Sequence, residues 1–209
     1  TPHLGGSTKE AKEGVSTAIC NQISNYLLNE DLENAVNFPI QDSSDLKGIT
    51  SFLNLADNLG MIHSSIATGP IKKVSINCFG TIDQVKPISL SFLRSLLQKR
   101  VPERVNFINA ETVAKELGID VSLNYSTLDS NYSNLISISV ISENENMFDG
   151  SVFNDSLPRL VNLMGYKMEV NLNGTLLFIQ NDDVPGVIGK VGSLLGENKI
   201  NIGAYLLSQ

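Results

Sequence analysis

Apolar positions along the chain change period several times, and each change marks an element. Ala11, Val15, Ala18, Ile19, Tyr26 and Leu27 recur at spacings of three and four, which puts them on one face of a helix over about residues 8–28. Ser7 followed three residues later by Glu10 reads as a capping box that starts this helix near Thr8. The pattern fades at Asn29-Glu-Asp, and Asn34-Ala-Val-Asn-Phe-Pro39 ends the segment, because proline disfavours the α conformation in the residue before it. From Asp45 to about Ala67, Leu46, Phe52, Leu53, Ala56, Leu59, Ile62 and Ile66 predict a second amphipathic helix, weakened or broken at Gly60.

The period then becomes two. Val74, Ile76 and Cys78 alternate with Ser75 and Asn77, predicting a half-buried strand closed by Gly80, with Lys72 and Lys73 read as guards of a sheet edge. A helix over about 88–99 turns Leu93, Leu96 and Leu97 inward. A short strand at Val105-Asn-Phe107 follows, then a helix over about 110–117 stopped by Gly118. Segments 119–127, 134–142, 147–153, 159–163 and 166–171 read as short strands, with turn signals at Asp129-Ser-Asn, Glu143-Asn-Glu-Asn and Asn173-Gly. Strands in such succession without helices between them imply antiparallel pairing. At the end, Leu176–Ile179 reads as a strand, Asp183-Val-Pro-Gly186 as a turn whose proline starts a helix, and Ile200–Leu207 as a further strand. Val187, Ile188, Val191, Leu194 and Leu195 form that helix's inner face. The sum is an α+β chain: a helical segment over 1–39, a mixed α/β domain over 40–172, and a β-α-β unit over 173–209 with too few elements to close a sheet.

Composition narrows the function. The 209 residues are 42% apolar, enough to bury a core, and 15 basic against 22 acidic residues give a net charge of -7. Such a field repels nucleic acid and anionic membrane, so neither is an expected partner. Cys20 and Cys78 lie far apart without a C-x-x-C pair or a histidine at ligand spacing, so reduced thiols and no metal are expected. No run approaches a membrane span. A cytoplasmic protein is the expectation, with an upstream targeting segment left open because the chain opens on Thr1 and reads as cut. The N-x-S/T triplets at Asn124, Asn131, Asn154 and Asn173 are read as chance in an Asn- and Ser-rich chain.

Candidate chemistry sits in few places. His3 can exchange a proton near neutral pH, Gly5 and Gly6 leave room for a ligand beside the backbone, and the helix start behind them presents N–H groups. His63 reads as a capping or surface histidine. Lys86, Arg94, Lys99, Arg100 and Arg104 face only Glu103 within their stretch, and the ordinary reading of such a run is a solvated helix face.

The opening T-P-H-L-G-G-S-T-K-E-A closely resembles the T-P-H-x-G-G-S-T-x-E-A segment of the D-3-phosphoglycerate dehydrogenases, NAD-dependent enzymes of the D-2-hydroxyacid dehydrogenase family. A-T-G-P-I-K-K-V over 67–74 and R-V-N-F-I-N-A-E-T-V-A-K-E-L-G over 104–118 resemble that family's intervening, allosteric-substrate-binding domain. Asp183-Val-Pro-Gly-Val-Ile-Gly-Lys-Val-Gly192 with Ile200-Asn-Ile202 looks like the first half of a ferredoxin-like ACT domain.

The resemblance implies that His3 is the catalytic acid/base, that His3, Leu4, Gly5 and Gly6 contact NAD, and that residues 8–39 include the crossover helix between cofactor and substrate domains. It implies an amino-acid effector, L-serine, at Asn181, Asp183, Val184, Pro185, Gly186, Val187 and Asn201. The helix N-terminus there suits a carboxylate, and Asp183 and Asn201 suit an amino group. It also implies an anion site for a phosphate-bearing ligand among Lys86, Arg94, Lys99, Arg100 and Arg104. The expected partners are 3-phosphoglycerate or 3-phosphohydroxypyruvate and further copies of the chain, as a dimer or tetramer. Without a dinucleotide glycine fingerprint the chain alone is expected to be inactive. Two other readings stay open at this point: another D-2-hydroxyacid dehydrogenase, since H-x-G-G does not fix the substrate, and a non-enzymatic amino-acid-sensing module.

Overall fold

In the computed structural model, residues 6–29, 43–82, 84–127 and 131–208 are described. Alternation makes the sheet. β1 (Lys73–Gly80) buries Val74, Ile76 and Cys78, and β3 (Asn134–Ile141) buries Ile136, Ile138 and Val140 on the same side. With β2 (Asp120–Ser126), β4 (Glu145–Phe153), β5 (Leu157–Leu163) and β6 (Tyr166–Asn171) they form a six-stranded sheet in the order β2-β1-β3-β4-β5-β6. The run from β3 to β6 is antiparallel, as the short connections require. β2 departs from that expectation: it crosses back to pair in parallel with β1, whose other side is taken by β3. β1 is therefore interior, and Lys72 and Lys73 guard no edge.

Two helices cover one face. α2 (Ser43–Ile66) lies over β4 and β5, and α3 (Val85–Leu97) over β1 and β2, with α4 (Ala110–Glu116) against α3 and β2. Leu55, Leu59, Phe92, Leu93, Leu96 and Leu97 are fully buried against Ile76, Ile138 and Phe148 of the sheet. α2 runs unbroken through Gly60. A Cβ there would stand 2.5 Å from Phe92 O and 3.0 Å from Ser95 Cβ, so the glycine lets α2 and α3 approach instead of breaking the helix.

One expected strand and two expected helix starts resolve differently. Residues 105–107 form no strand: Asn106 Oδ1 accepts from the N–H groups of Ile108 (2.8 Å) and Asn109 (3.0 Å), and Asn109 Oδ1 accepts from Asn106 N (2.7 Å). Asparagine side chains here take the backbone donors that a ladder would have used. α1 (Lys9–Asn29) is capped by Thr8, whose Oγ1 accepts from Ala11 N at 3.1 Å, so Ser7 and Glu10 form no capping box. α5 (Val187–Glu197) starts after Gly186, which has φ 96°, so Pro185 lies ahead of the helix rather than in its first turn.

The chain is mixed α/β, consistent with an intervening regulatory domain followed by a partial ferredoxin-like unit. Leu176–Ile179 and Ile200–Leu207 pair into no strand among the described residues, and α5 buries none of its side chains. The expected inner face of α1 is equally uncovered, with Val15, Ile19, Tyr26 and Leu27 exposed. Leu172 and Phe178 do pack on the core, and Ser208 donates to Lys167 O at 2.6 Å, which ties the last segment to β6.

Candidate functional site

The cations between Lys86 and Arg104 do not form one cluster. Lys86 pairs with Glu111 and Arg94 with Asp57, which also accepts from Ser95 Oγ. Arg94 further lies over the Phe107 ring, 5.0 Å from its centroid. Lys99 and Arg104 are exposed and form no ion pair among the described residues.

Arg100 is placed otherwise. Its backbone N–H donates to Leu97 O at 2.8 Å in the turn that ends α3. Its guanidinium donates to Ala67 O (2.8 Å) and Gly69 O (2.9 Å). These carbonyls follow the C-terminus of α2, where a cation is favoured. Among the described residues the buried Nε atom has no hydrogen-bond partner and no carboxylate pairs with the group. Gly69 takes φ 68°, which turns the chain out of α2, and Thr68 Oγ1 holds Glu143 Oε2 at 3.0 Å beside it.

Arg100 also lines a cleft of about 370 Å³ with Gly69, Pro70, Ile71, Leu117 and Ile119. Its walls come from the A-T-G-P-I segment, from the end of α3 and from the turn into β2. A positive group with an open apolar flank and no ion-pair partner among the described residues can hold an anion. The sequence pointed to Arg100 but not to Leu117 or Ile119. The available signal was Gly69-Pro70 directly before a strand, which marks a turn on which distant segments can converge. A second cleft, about 320 Å³, is lined by Asn54, Asp57, Asn58, Ser156, Pro158 and Asn173, with the Asp57 carboxylate already committed to Arg94.

The other candidates are scattered. His3, Leu4 and Gly5 lie outside the described residues, as do Asn34 to Pro39. Gly6 is exposed, and no described residue beyond its chain neighbours comes within 4 Å of where a Cβ would stand. Asn181, Asp183, Val184, Pro185 and Gly186 form an exposed turn in which Val184 N donates to Asp182 O at 2.9 Å and Asn181 Nδ2 to the same oxygen at 2.7 Å. No side chain caps α5, so its first N–H groups stay open behind half-buried Val187. Asn201 is exposed on the far side of α5 in sequence. None of these residues lines either cleft.

His63 is neither a cap nor a surface group. It is fully buried, stacked on Phe148 at 3.8 Å between centroids and edge-on to Phe92 at 5.5 Å. Among the described residues neither ring nitrogen has a partner of ordinary hydrogen-bond geometry. Burial lowers its pKa to about 3, against a weaker opposing interaction with the Ile138 backbone. Burial likewise pushes the Cys78 thiol up to about 12, so it is an inert core group. Among the described residues no group of three metal-ligating side chains exists, and no helix is long and apolar enough to cross a membrane.

The two segments that meet at Arg100 are also the region that comparison singles out. A family model described as the D-3-phosphoglycerate dehydrogenase intervening domain matches residues 48–164. The chain belongs to this family. Over 205 residues it is 33% identical to a D-3-phosphoglycerate dehydrogenase of Bacillus subtilis, covering 97% of this chain and 39% of that protein. It is 31% identical over 208 residues to the enzyme of that name from Synechocystis (98% and 38%), and 30% identical over 212 residues to that of Archaeoglobus fulgidus (100% and 40%). The chain thus spans about two fifths of the length of these curated relatives. The intervening-domain match takes in α2, α3, α4, β1 to β5 and the Arg100 cleft.

Proposed function

We propose that the chain is the C-terminal part of an NAD-dependent D-3-phosphoglycerate dehydrogenase, which oxidises 3-phospho-D-glycerate to 3-phosphohydroxypyruvate in the first step of L-serine synthesis. One observation carries the reading: similarity to three such dehydrogenases runs through essentially the whole chain rather than through one module. On this reading residues 1–39 close the cofactor domain and cross over, 40–172 form the intervening domain, and 173–209 open an ACT domain. The space that the described residues leave at Gly6 suits the approach of a dinucleotide to the H-x-G-G backbone. NAD, when bound, accepts the hydride. His3 takes the proton from the 2-hydroxyl oxygen, and Leu4, Gly5 and Gly6 shape the loop beside it. This chain alone is inactive, and the complete enzyme is a cytoplasmic homo-oligomer.

Regulation is assigned to the remaining residues. L-serine binds through the open N-terminus of α5, with its carboxylate toward Gly186 and Val187 and its amino group toward Asp183 and Asn201. A phosphate-bearing ligand takes the Arg100 cleft, with Lys99 and Arg104 available to add charge, while Lys86 and Arg94 are held in internal ion pairs. The test is NAD reduction by the full-length enzyme with 3-phosphoglycerate. His3→Ala is expected to cut turnover at least about 100-fold while NAD affinity persists. Unchanged turnover would remove His3 from the mechanism, and no activity in the unmodified enzyme would remove the dehydrogenase reading.

A further inference from the structure

The two margins of the sheet are built differently. On one side, the pairing of β6 with β5 is irregular between Leu160 and Asn162, Lys167 and Glu169 are exposed on β6, and Ser208 lies against Lys167 O. Irregular pairing, charged side chains and a covering segment are ways of blunting an edge. β2, on the other side, pairs with β1 in unbroken register from Lys73↔Asp120 to Phe79↔Ser126. Its run Asp-Val-Ser-Leu-Asn-Tyr-Ser holds no proline or bulge, and its single charge, Asp120, stands at its first residue.

The backbone direction on β2 follows from one bond. Asp120 N donates to Lys72 O at 3.0 Å, so alternation turns the backbone groups of Ser122 and Asn124 toward β1 as well. Those of Val121, Leu123 and Tyr125 then point away from the sheet. Among the described residues no strand lies beyond them.

We propose that β2 pairs antiparallel with β2 of a second copy of this chain, about a two-fold axis at Leu123. In that register Leu123 faces the second copy's Leu123, and Val121 faces the second copy's Tyr125. Every outward backbone group then falls on a hydrogen-bonded pair, for about six new bonds. The side chains match as well. Val121, Leu123 and Tyr125 share one face of β2, where Tyr125 is 45% exposed and the other two are half-buried, so apolar meets apolar. On the opposite face Ser122 meets the second copy's Asn124. That contact extends the polar ladder in which Ser122 donates to Ser75 (3.0 Å) and Asn124 to Asn77 (2.9 Å).

A slip of one residue would set polar positions against apolar ones throughout, and a slip of two would leave two residues of each β2 unpaired, so the register centred on Leu123 is favoured. Ile108 and Leu117, both exposed, flank α4, which packs over β2 on the same margin. A two-fold pairing of identical edges is self-limiting, whereas an open edge invites indefinite addition. The inference deepens the self-assembly part of the proposed function and is independent of the dehydrogenase activity.

Sedimentation velocity and residue-resolved hydrogen exchange on the whole chain test it. The chain should associate, with the amides of Val121, Leu123 and Tyr125 gaining protection as concentration rises. Ser122→Lys with Asn124→Lys sets like charges opposite each other twice and should weaken association about 10-fold or more. Ser122→Lys with Asn124→Glu sets opposite charges there and should restore it. A monomer at about 100 μM overturns the proposal. So does association that the double lysine variant leaves unchanged, or association in which these three amides exchange at the same rate at every concentration. The last outcome would place the contact on the uncovered faces of α1 or α5. The exchange arm needs no variant, so a misfolded double lysine chain leaves the proposal testable, and none of these readouts depends on turnover.

Discussion

A neutral imidazole packed against two phenyl rings makes the core sensitive to acid. His63 has a folded pKa of about 3 against an ordinary value of 6.5, so between these values the unfolded chain binds a proton that the folded chain does not. Stability is therefore fully present above about pH 6.5 and falls as pH drops toward 3, by on the order of a few kcal/mol from this group alone. Urea denaturation at pH 7 and pH 4 should show that loss, and His63→Phe, which cannot titrate, should reduce it. An equal loss in the variant would assign the acid sensitivity to other groups. Asn134 is a second buried polar side chain, but a satisfied one. Its Nδ2 donates to Val152 O and its Oδ1 accepts from Val152 N, both at 2.8 Å, so the side chain closes the β3–β4 ladder where the backbone does not. Asn134→Leu should cost about 2–3 kcal/mol by stranding both Val152 groups, read as a shifted urea midpoint. Neither role was legible in the sequence, because a lone His or Asn carries no mark of which residues will surround it.

At the scale of elements, period alone located α1 to α5 and β1 to β6 to within a few residues, since burial on one face enforces the period. Local chemistry was read less well. Gly60 looked like a weak point and is the close contact between α2 and α3. Gly60→Ala should gain about 1 kcal/mol of helix propensity but drive a methyl against Phe92 O, for a net loss of about 1–3 kcal/mol in thermal or urea denaturation. A variant as stable as the unmodified chain would show that α3 can shift away at no cost. Val105-Asn-Phe107 looked like a strand because its outer residues alternate in polarity with Asn106. The interlocked Asn106 and Asn109 side chains make it a turn instead, and Phe107 lies under Arg94.

For the molecule as a whole, burial is uneven. The sheet and α2 to α4 hold the core, while α1 and α5 bury no described side chain. Brief proteolysis of the chain is expected to trim it toward a core of roughly residues 43–172 that melts as the whole chain does; early cuts inside β1 to β5, seen by mass spectrometry, would contradict this layout. By itself the sequence determined the mixed α/β class, the order of the eleven elements that form and the family resemblance, because each is written in local periodicity or in short motifs; the three further strands it suggested do not form among the described residues. Only the tertiary structure decided that β1 is interior and β2 an edge, that His63 is core, and that Arg100, of the five candidate cations, is the one that lines either of the two clefts described above. Those outcomes depend on which distant segments pack together, and residues 67–71, 100 and 117–119 carry no local signal that they will share one wall.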